Sequence, residues 1–115
     1  MRFLLLCYFG EKAWEALPDL QRDPIMREYG GLLQSLHTSG RHLASAQLKA
    51  ASTAATVRSK GGKATITDGP FAETKEQLGG YHLIECEGLN EAISIAKRIP
   101  TIPFGGVVEV RAVEP

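Results

Sequence analysis

The stretch Asp68-Gly69-Pro70-Phe71-Ala72-Glu73-Thr74-Lys75-Glu76-Gln77-Leu78-Gly79-Gly80-Tyr81 lies between two runs of strand character and decides how the chain is read. It gathers Asp68, Glu73, Glu76 and Lys75 around a Gly-Pro turn and a glycine pair. Polar density on a loop between regular elements is where binding and catalysis concentrate. Before it, Thr56-Val57-Arg58 and Ala64-Thr65-Ile66-Thr67 flank Ser59-Lys60-Gly61-Gly62-Lys63. β-Branched residues on both sides of a Gly-Gly turn predict a hairpin. After it, Tyr81 to Cys86 predicts a strand, with Tyr81, Leu83 and Glu85 on one side and His82, Ile84 and Cys86 on the other.

Further out, Phe3 to Phe9 is an apolar run ended by Gly10, as in a strand buried on both faces or central to a sheet. Glu11 to Leu17 predicts a short helical turn stopped by Pro18. Asp23-Pro24 reads as the start of the first long helix, with Asp as N-cap and Pro at the first helical position. Ile25, Tyr29, Leu32 or Leu33, and Leu36 form its apolar stripe, and Gly40 its C-cap. Gly30-Gly31 costs this helix about 1 kcal/mol per glycine, and would allow close approach to a sheet or partner. His42 to Lys49 predicts a strand. Leu89, Ala92, Ile93, Ala96 and Ile99 recur at helical spacing, Pro100 and Pro103 stop that helix, and Val107 to Val113 closes as a strand. The order is a split βαββαβ with one extra hairpin, an α+β ferredoxin-like domain with an antiparallel sheet spanning residues 1–115. Both helices should cover one sheet face. The other face is half apolar, so a symmetric homodimer packed sheet to sheet is expected.

Composition narrows function. Thirteen basic residues (Lys and Arg, 13) balance 13 acidic ones, and the basic residues are scattered, so direct nucleic-acid binding is not expected. Hydrophobic residues at 43% supply a core, which argues against disorder. No run reaches the length of a membrane span. Arg2 to Phe9 is at the short limit of a signal-peptide core, and Gly10-Glu11-Lys12 follows in place of a cleavage site, so the chain is read as cytoplasmic. Cys7 and Cys86 sit inside apolar runs and read as buried thiols.

Among polar residues, Asp68 has two readings: an Asx-type turn before Gly69-Pro70, or a general base at a pocket mouth. Thr74 and Gln77 have capping-box spacing, which predicts a short helical turn with Glu73 and Lys75 as solvated neighbours. The alternative makes Lys75 an anion contact and Glu73 a proton partner of Asp68, since two carboxylates in one pocket separate their pKa values. Tyr81 is either core or a ligand contact. Glu109 and Arg111 point the same way from the last strand, as an exposed ion pair or as cavity lining, and Arg58 is a further anion contact. His82 and Cys86 share a strand face but stand about 13 Å apart at the usual rise, too far for one zinc. His37 and His42 straddle a helix end and are not expected to converge. No metal motif, no nucleotide-binding glycine motif and no Ser-His-Asp or Cys-His arrangement is evident, so neither metal nor cofactor is expected.

The segment Asp68 to Glu76 closely resembles the DGPF branch of the YCII-related protein family. Leu78-Gly79-Gly80-Tyr81, Thr56-Val57-Arg58, Ile99-Pro100 and Val108-Glu109-Val110-Arg111 extend the likeness over nearly the whole chain. The resemblance implies a dimeric α/β-barrel built from two ferredoxin-like subunits. It also implies, for some members, a link to alternative sigma factors. The family's first-helix histidine, paired with an aspartate, is matched here by Tyr29, so that pair does not carry over. His82 stands where relatives carry an aromatic residue.

These readings leave two functions, and whether the chain is an enzyme stays open between them. The first is a small homodimer that binds a small organic molecule and performs cofactor-free acid–base chemistry of isomerase or lyase type. Asp68, Glu73 and Lys75 would be its catalytic centre, and Tyr29, Arg58, Tyr81 and Arg111 its ligand contacts. The second is a non-catalytic accessory or regulatory protein with a sigma-factor link.

Overall fold

Burial alternates along β1 (Arg2–Phe9): Phe3, Leu5 and Cys7 are buried, while Leu4 and Leu6 between them stay half-exposed. A computed structural model describes residues 1–115, and β1 is a central strand of its main sheet. A short helix α1 (Glu11–Ala16) turns the chain into α2 (Asp19–Thr38), then β2 (His42–Gln47). The hairpin β3 (Ala55–Lys60) and β4 (Lys63–Asp68) follows, then β5 (Gln77–Glu85), α3 (Leu89–Ala96) and β6 (Val107–Ala112). The main sheet is antiparallel in the order β2-β5-β1-β6, a ferredoxin-like α+β arrangement with the hairpin inserted before β5. No helix is long and apolar enough to cross a membrane.

The core lies between the sheet and the two longer helices. Phe3, Leu5 and Ile84 from the sheet meet Leu32 and Leu36 of α2 and Ala92, Ile95 and Ile99 of the α3 region, all at most 6% exposed. Burial at this scale stabilises by about 1.5–3 kcal/mol per large side chain, which is what holds helices to sheet. The opposite sheet face is uncovered: Leu4, Leu6, Tyr81 and Leu83 are all half-exposed there.

β5 begins at Gln77 and not at Tyr81, β2 ends at Gln47 and not at Lys49, and two larger differences separate the fold from the sequence reading. α2 begins at Asp19 and not at Asp23, so Pro24 lies inside it. The Pro18 carbonyl accepts from Gln21 and Arg22 N–H at 2.9 and 3.0 Å, starting the helix early. Leu20 is exposed, so the carbonyl that Pro24 cannot serve stands open to water. Second, no helical turn forms at Thr74. The Gln77 side chain does reach back, donating to the Thr74 carbonyl at 2.6 Å, but Gln77 is already the first residue of β5. The glycine pair of α2 packs against nothing: a Cβ at Gly30 or Gly31 would meet no atom within 4 Å.

The hairpin stands apart. Gly61 and Gly62 take positive φ (59° and 82°) at its tip, the geometry a two-residue hairpin turn requires. Val57 pairs with Ile66, yet both are exposed, at 66% and 75%. The radius of gyration is 16.0 Å, against about 13 Å for a compact chain of this length, because the hairpin projects from the sheet.

Candidate functional site

A cavity of about 540 Å³ opens between β1, β5, β2, α1 and α2. Two irregularities make it. The β1–β5 register shifts between Cys7 and Tyr8, pairing Cys7 with Gly80 and Tyr8 with Leu78, so Gly79 is an extra residue. Such bulges bend a strand and re-aim its side chains. Gly80 then lines the cavity without a side chain, and a Cβ there would stand 3.0 Å from the Ala46 carbonyl oxygen. The glycine pair therefore permits close approach of β2 and leaves the space open.

The mouth is aromatic and charged. Trp14 packs edge-on against Phe9 with ring centroids 6.1 Å apart. Glu11, Glu15 and Lys49 share the same rim. The Glu11 carboxylate accepts from the Ala51 N–H at 2.7 Å, and the Glu11 N–H donates to the Gln77 side chain at 3.4 Å. These bonds tie α1 to the 3₁₀ turn at Ala51–Thr53 and to the start of β5.

The floor is buried and polar. The Tyr29 and His82 rings stack at 6.0 Å between centroids, 25° apart in plane. The Tyr29 hydroxyl meets the side chains of Thr101 and Cys7. Burial pushes the Tyr29 phenol well above its ordinary range, and the neighbouring Cys7 adds to this. Burial likewise raises the Cys7 thiol, only partly offset by the Tyr29 hydrogen bond, so this cysteine stays protonated. His82 is 7% exposed, and its Nδ1 is buried with no hydrogen-bond partner. Desolvation, then the nearby His42, hold the His82 imidazole below its usual value, so it is neutral at pH 7. An orphaned buried polar atom of this kind calls for an explanation, since nearly all such groups are paired.

Of the candidate catalytic and ligand-binding residues read from sequence, Tyr29 alone lines this cavity. Asp68 ends β4, Glu73 and Lys75 lie on the loop before β5, and all three are exposed. The chain's ion pairs, Met1–Glu85, Asp19–Arg22, Arg41–Glu91 and Glu109–Arg111, leave them out. No backbone N–H is held by the Asp68 carboxylate; Thr56 and Arg58 hold the turn instead, donating to the carbonyls of Gly69 and Phe71 at 2.8 and 3.1 Å. The loop backbone does border the cavity mouth, since the Lys75 carbonyl lies 3.3 Å from where a Cβ on Gly10 would sit. Tyr81 and Arg111 belong to the uncovered sheet face, and Arg111 pairs there with Glu109.

Sequence reading found only Tyr29 of the floor. Cys7 and Thr101 carry no motif, and His82 was visible only as a polar residue in register with Ile84 and Cys86. His37 and His42, not expected to meet, stack with centroids 3.9 Å apart, because the end of α2 turns directly into β2. No cluster of three or more His, Cys, Asp or Glu residues is suited to hold a metal.

Comparison with known proteins bears on identity more than on reaction. An uncharacterized protein of Rhizobium meliloti (strain 1021) is 36% identical over 112 residues, covering 96% of this chain and 90% of that protein. The model of the YCII-related domain matches residues 1–115. With that match running from end to end, the chain belongs to the YCII-related family.

Proposed function

We propose that the cavity beneath α1 and α2 binds a small organic molecule, aromatic in part, and that its floor carries out cofactor-free proton transfer of isomerase or lyase type. The observation that carries this reading is the orphaned, neutral His82 beneath the Tyr29 ring in a cavity of about 540 Å³, a volume usual for small-molecule sites. A neutral imidazole at pH 7 takes a proton from carbon or oxygen, and the Tyr29 phenol, kept protonated, donates to a developing oxyanion. Glu73 and Lys75 act from the loop at the mouth, where Lys75 meets an anionic group, and Asp68, at the start of that loop, is a proton partner of Glu73. Arg58 serves by holding the Phe71 carbonyl. We place a second copy on the uncovered face of Leu4, Leu6, Tyr81 and Leu83, with Glu109 and Arg111 at its edge, giving a homodimer in the cytoplasm that needs no nucleic acid or membrane.

Trp14 is the chain's single tryptophan and lies at the mouth, so its fluorescence reports occupancy. Titration with a panel of phenols and aryl carboxylates should give saturable quenching, weakened about tenfold in His82→Gln and Tyr29→Phe. Lys75→Ala should weaken only the anionic ligands. Quenching that survives unchanged in both floor variants removes the floor from the site.

A second reading is favoured by the hairpin. Its exposed Val57 and Ile66, with Phe71 at 78% exposure beyond it, suit a protein partner. On this reading the chain is an accessory protein, and a sigma factor is the partner that the family resemblance brings forward. Val57→Ser with Ile66→Ser would then abolish co-purification of that partner while leaving Trp14 titrations intact.

A further inference from the structure

On an even strand, residues three apart point to opposite faces. β2 breaks that rule beside the cavity. Its register against β5 shifts between His42 and Ala44, so that His42 pairs with Ile84 while Ser45 pairs with His82. Ile84 and His82 both face the helices, and the shift therefore brings His42 and Ser45 onto one face. His42 Nε2 lies 2.9 Å from Ser45 Oγ. The His37 ring, delivered by the end of α2, stacks on the His42 ring at 3.9 Å and fixes its plane. Ser45 and His82 both line the cavity.

We propose that Ser45 is a nucleophile and His42 its base, so that the cavity transfers acyl groups from small aryl esters through an acyl-serine. A hydroxyl becomes nucleophilic when a base within about 2.6–3.2 Å takes its proton and a third group orients that base. Ser45, His42 and His37 fill those roles. Desolvation, then the neighbouring His37, hold His42 below the usual histidine range, which leaves it unprotonated and able to accept at neutral pH. The ionisable groups facing it are His37 from α2 and His82 from β5.

The steps balance without any further reactant than water. Ser45 Oγ attacks the ester carbonyl carbon while its proton passes to His42 Nε2. The bond from carbon to the phenolic oxygen breaks, its electron pair leaves on that oxygen, and His42 returns the proton there. Water then attacks the acyl-serine by the same route, the carboxylic acid departs, and both residues are restored. Nothing is oxidised or reduced. In each addition the carbonyl oxygen becomes an oxyanion beside His82. An orphaned acceptor is tolerated in a protein interior more readily than an orphaned N–H. In the tautomer that leaves Nδ1 as the orphaned acceptor, His82 Nε2–H donates to that oxygen. The aromatic mouth formed by Phe9 and Trp14 selects the aryl group. This inference shares the cavity with the function proposed above and does not use its proton-transfer step.

The test is covalent labelling of the full chain with phenylmethanesulfonyl fluoride, read by intact mass and peptide mapping, beside Trp14 titration with a reversible phenol. The expected result is one adduct, on Ser45, that is absent from Ser45→Ala and forms about 100-fold more slowly in His42→Gln. No adduct, an adduct elsewhere with Ser45 untouched, or wild-type labelling rates in His42→Gln would overturn the proposal. Should His42→Gln fail to fold, the pH profile of the unaltered chain decides. The labelling rate must rise through a titration below the ordinary histidine range, and a flat profile defeats the base. A chain that binds the phenol but takes no adduct loses the nucleophile and keeps the cavity. A chain that takes the adduct on Ser45 without binding the phenol keeps the nucleophile and loses the reversible site.

Discussion

The cavity and the β3–β4 hairpin are both built around glycine pairs, yet they treat apolar side chains in opposite ways. At the cavity, Gly79-Gly80 lets strands crowd together, and polar groups such as His82 are buried without full partners. At the hairpin, Gly61-Gly62 turns the chain outward, and Val57 and Ile66 are left in water. One region stores polar groups where solvent cannot satisfy them; the other displays apolar groups where solvent cannot welcome them. Each is unfavourable in the isolated chain, and each points to something that binds. An isolated two-stranded ribbon is marginal in water, so under the readings proposed above the hairpin suits a macromolecular surface and the cavity a small molecule.

The contrast can be broken most sharply at the core. Ile84→Ala should destabilise by about 2–5 kcal/mol in urea unfolding, since Ile84 is fully buried beneath both helices. A loss under 1 kcal/mol would mean that the sheet is not covered as described. Gly80→Ala should cost about 1–3 kcal/mol and weaken phenol binding together, because its Cβ would press the Ala46 carbonyl and fill the cavity. Loss of stability without loss of binding would separate the bulge from the site.

Acid is the next lever. His82 and His42 both titrate below their unfolded value in the fold, so the unfolded state binds more protons as pH falls. Stability should therefore be fully present above the ordinary histidine pKa of about 6.5 and fall as pH drops through it, levelling off below the folded pKa. His82→Phe should remove up to one proton's worth of that slope. An unchanged slope would show that His82 is not the group paying for burial.

Smaller effects distinguish the surfaces. Gly31→Ala should stabilise by about 0.5–1 kcal/mol, because a Cβ there meets nothing. Destabilisation would reveal a partner seated on that face of α2. Ile66→Ala should change stability by less than about 0.5 kcal/mol at low protein concentration. A cost that grows with concentration would identify a second copy as the cover of the hairpin.

The local pattern of this chain was legible wherever one element decides its own fate. The apolar run of β1, the apolar stripe of α3 and the glycine turn of the hairpin follow from side-chain period and backbone freedom, which act over a few residues. The α2 start was misread because Asp23-Pro24 is a good local start signal that an earlier turn on the Pro18 carbonyl pre-empted. The acidic loop drew attention because polar density is visible in one dimension, while the polar floor was dispersed over Cys7, Tyr29, His82 and Thr101.

By itself, then, the sequence determined the family, the α+β class and the order of elements, all of which depend on local period and contiguous motif. Tertiary structure alone decided where the site lies. Two register shifts, at Gly79 and after His42, chose which side chains share a face, and a slip of one residue reverses that choice for every residue beyond it. No single strand carries that information, because register is a property of a pair of strands held together by hydrogen bonds and burial.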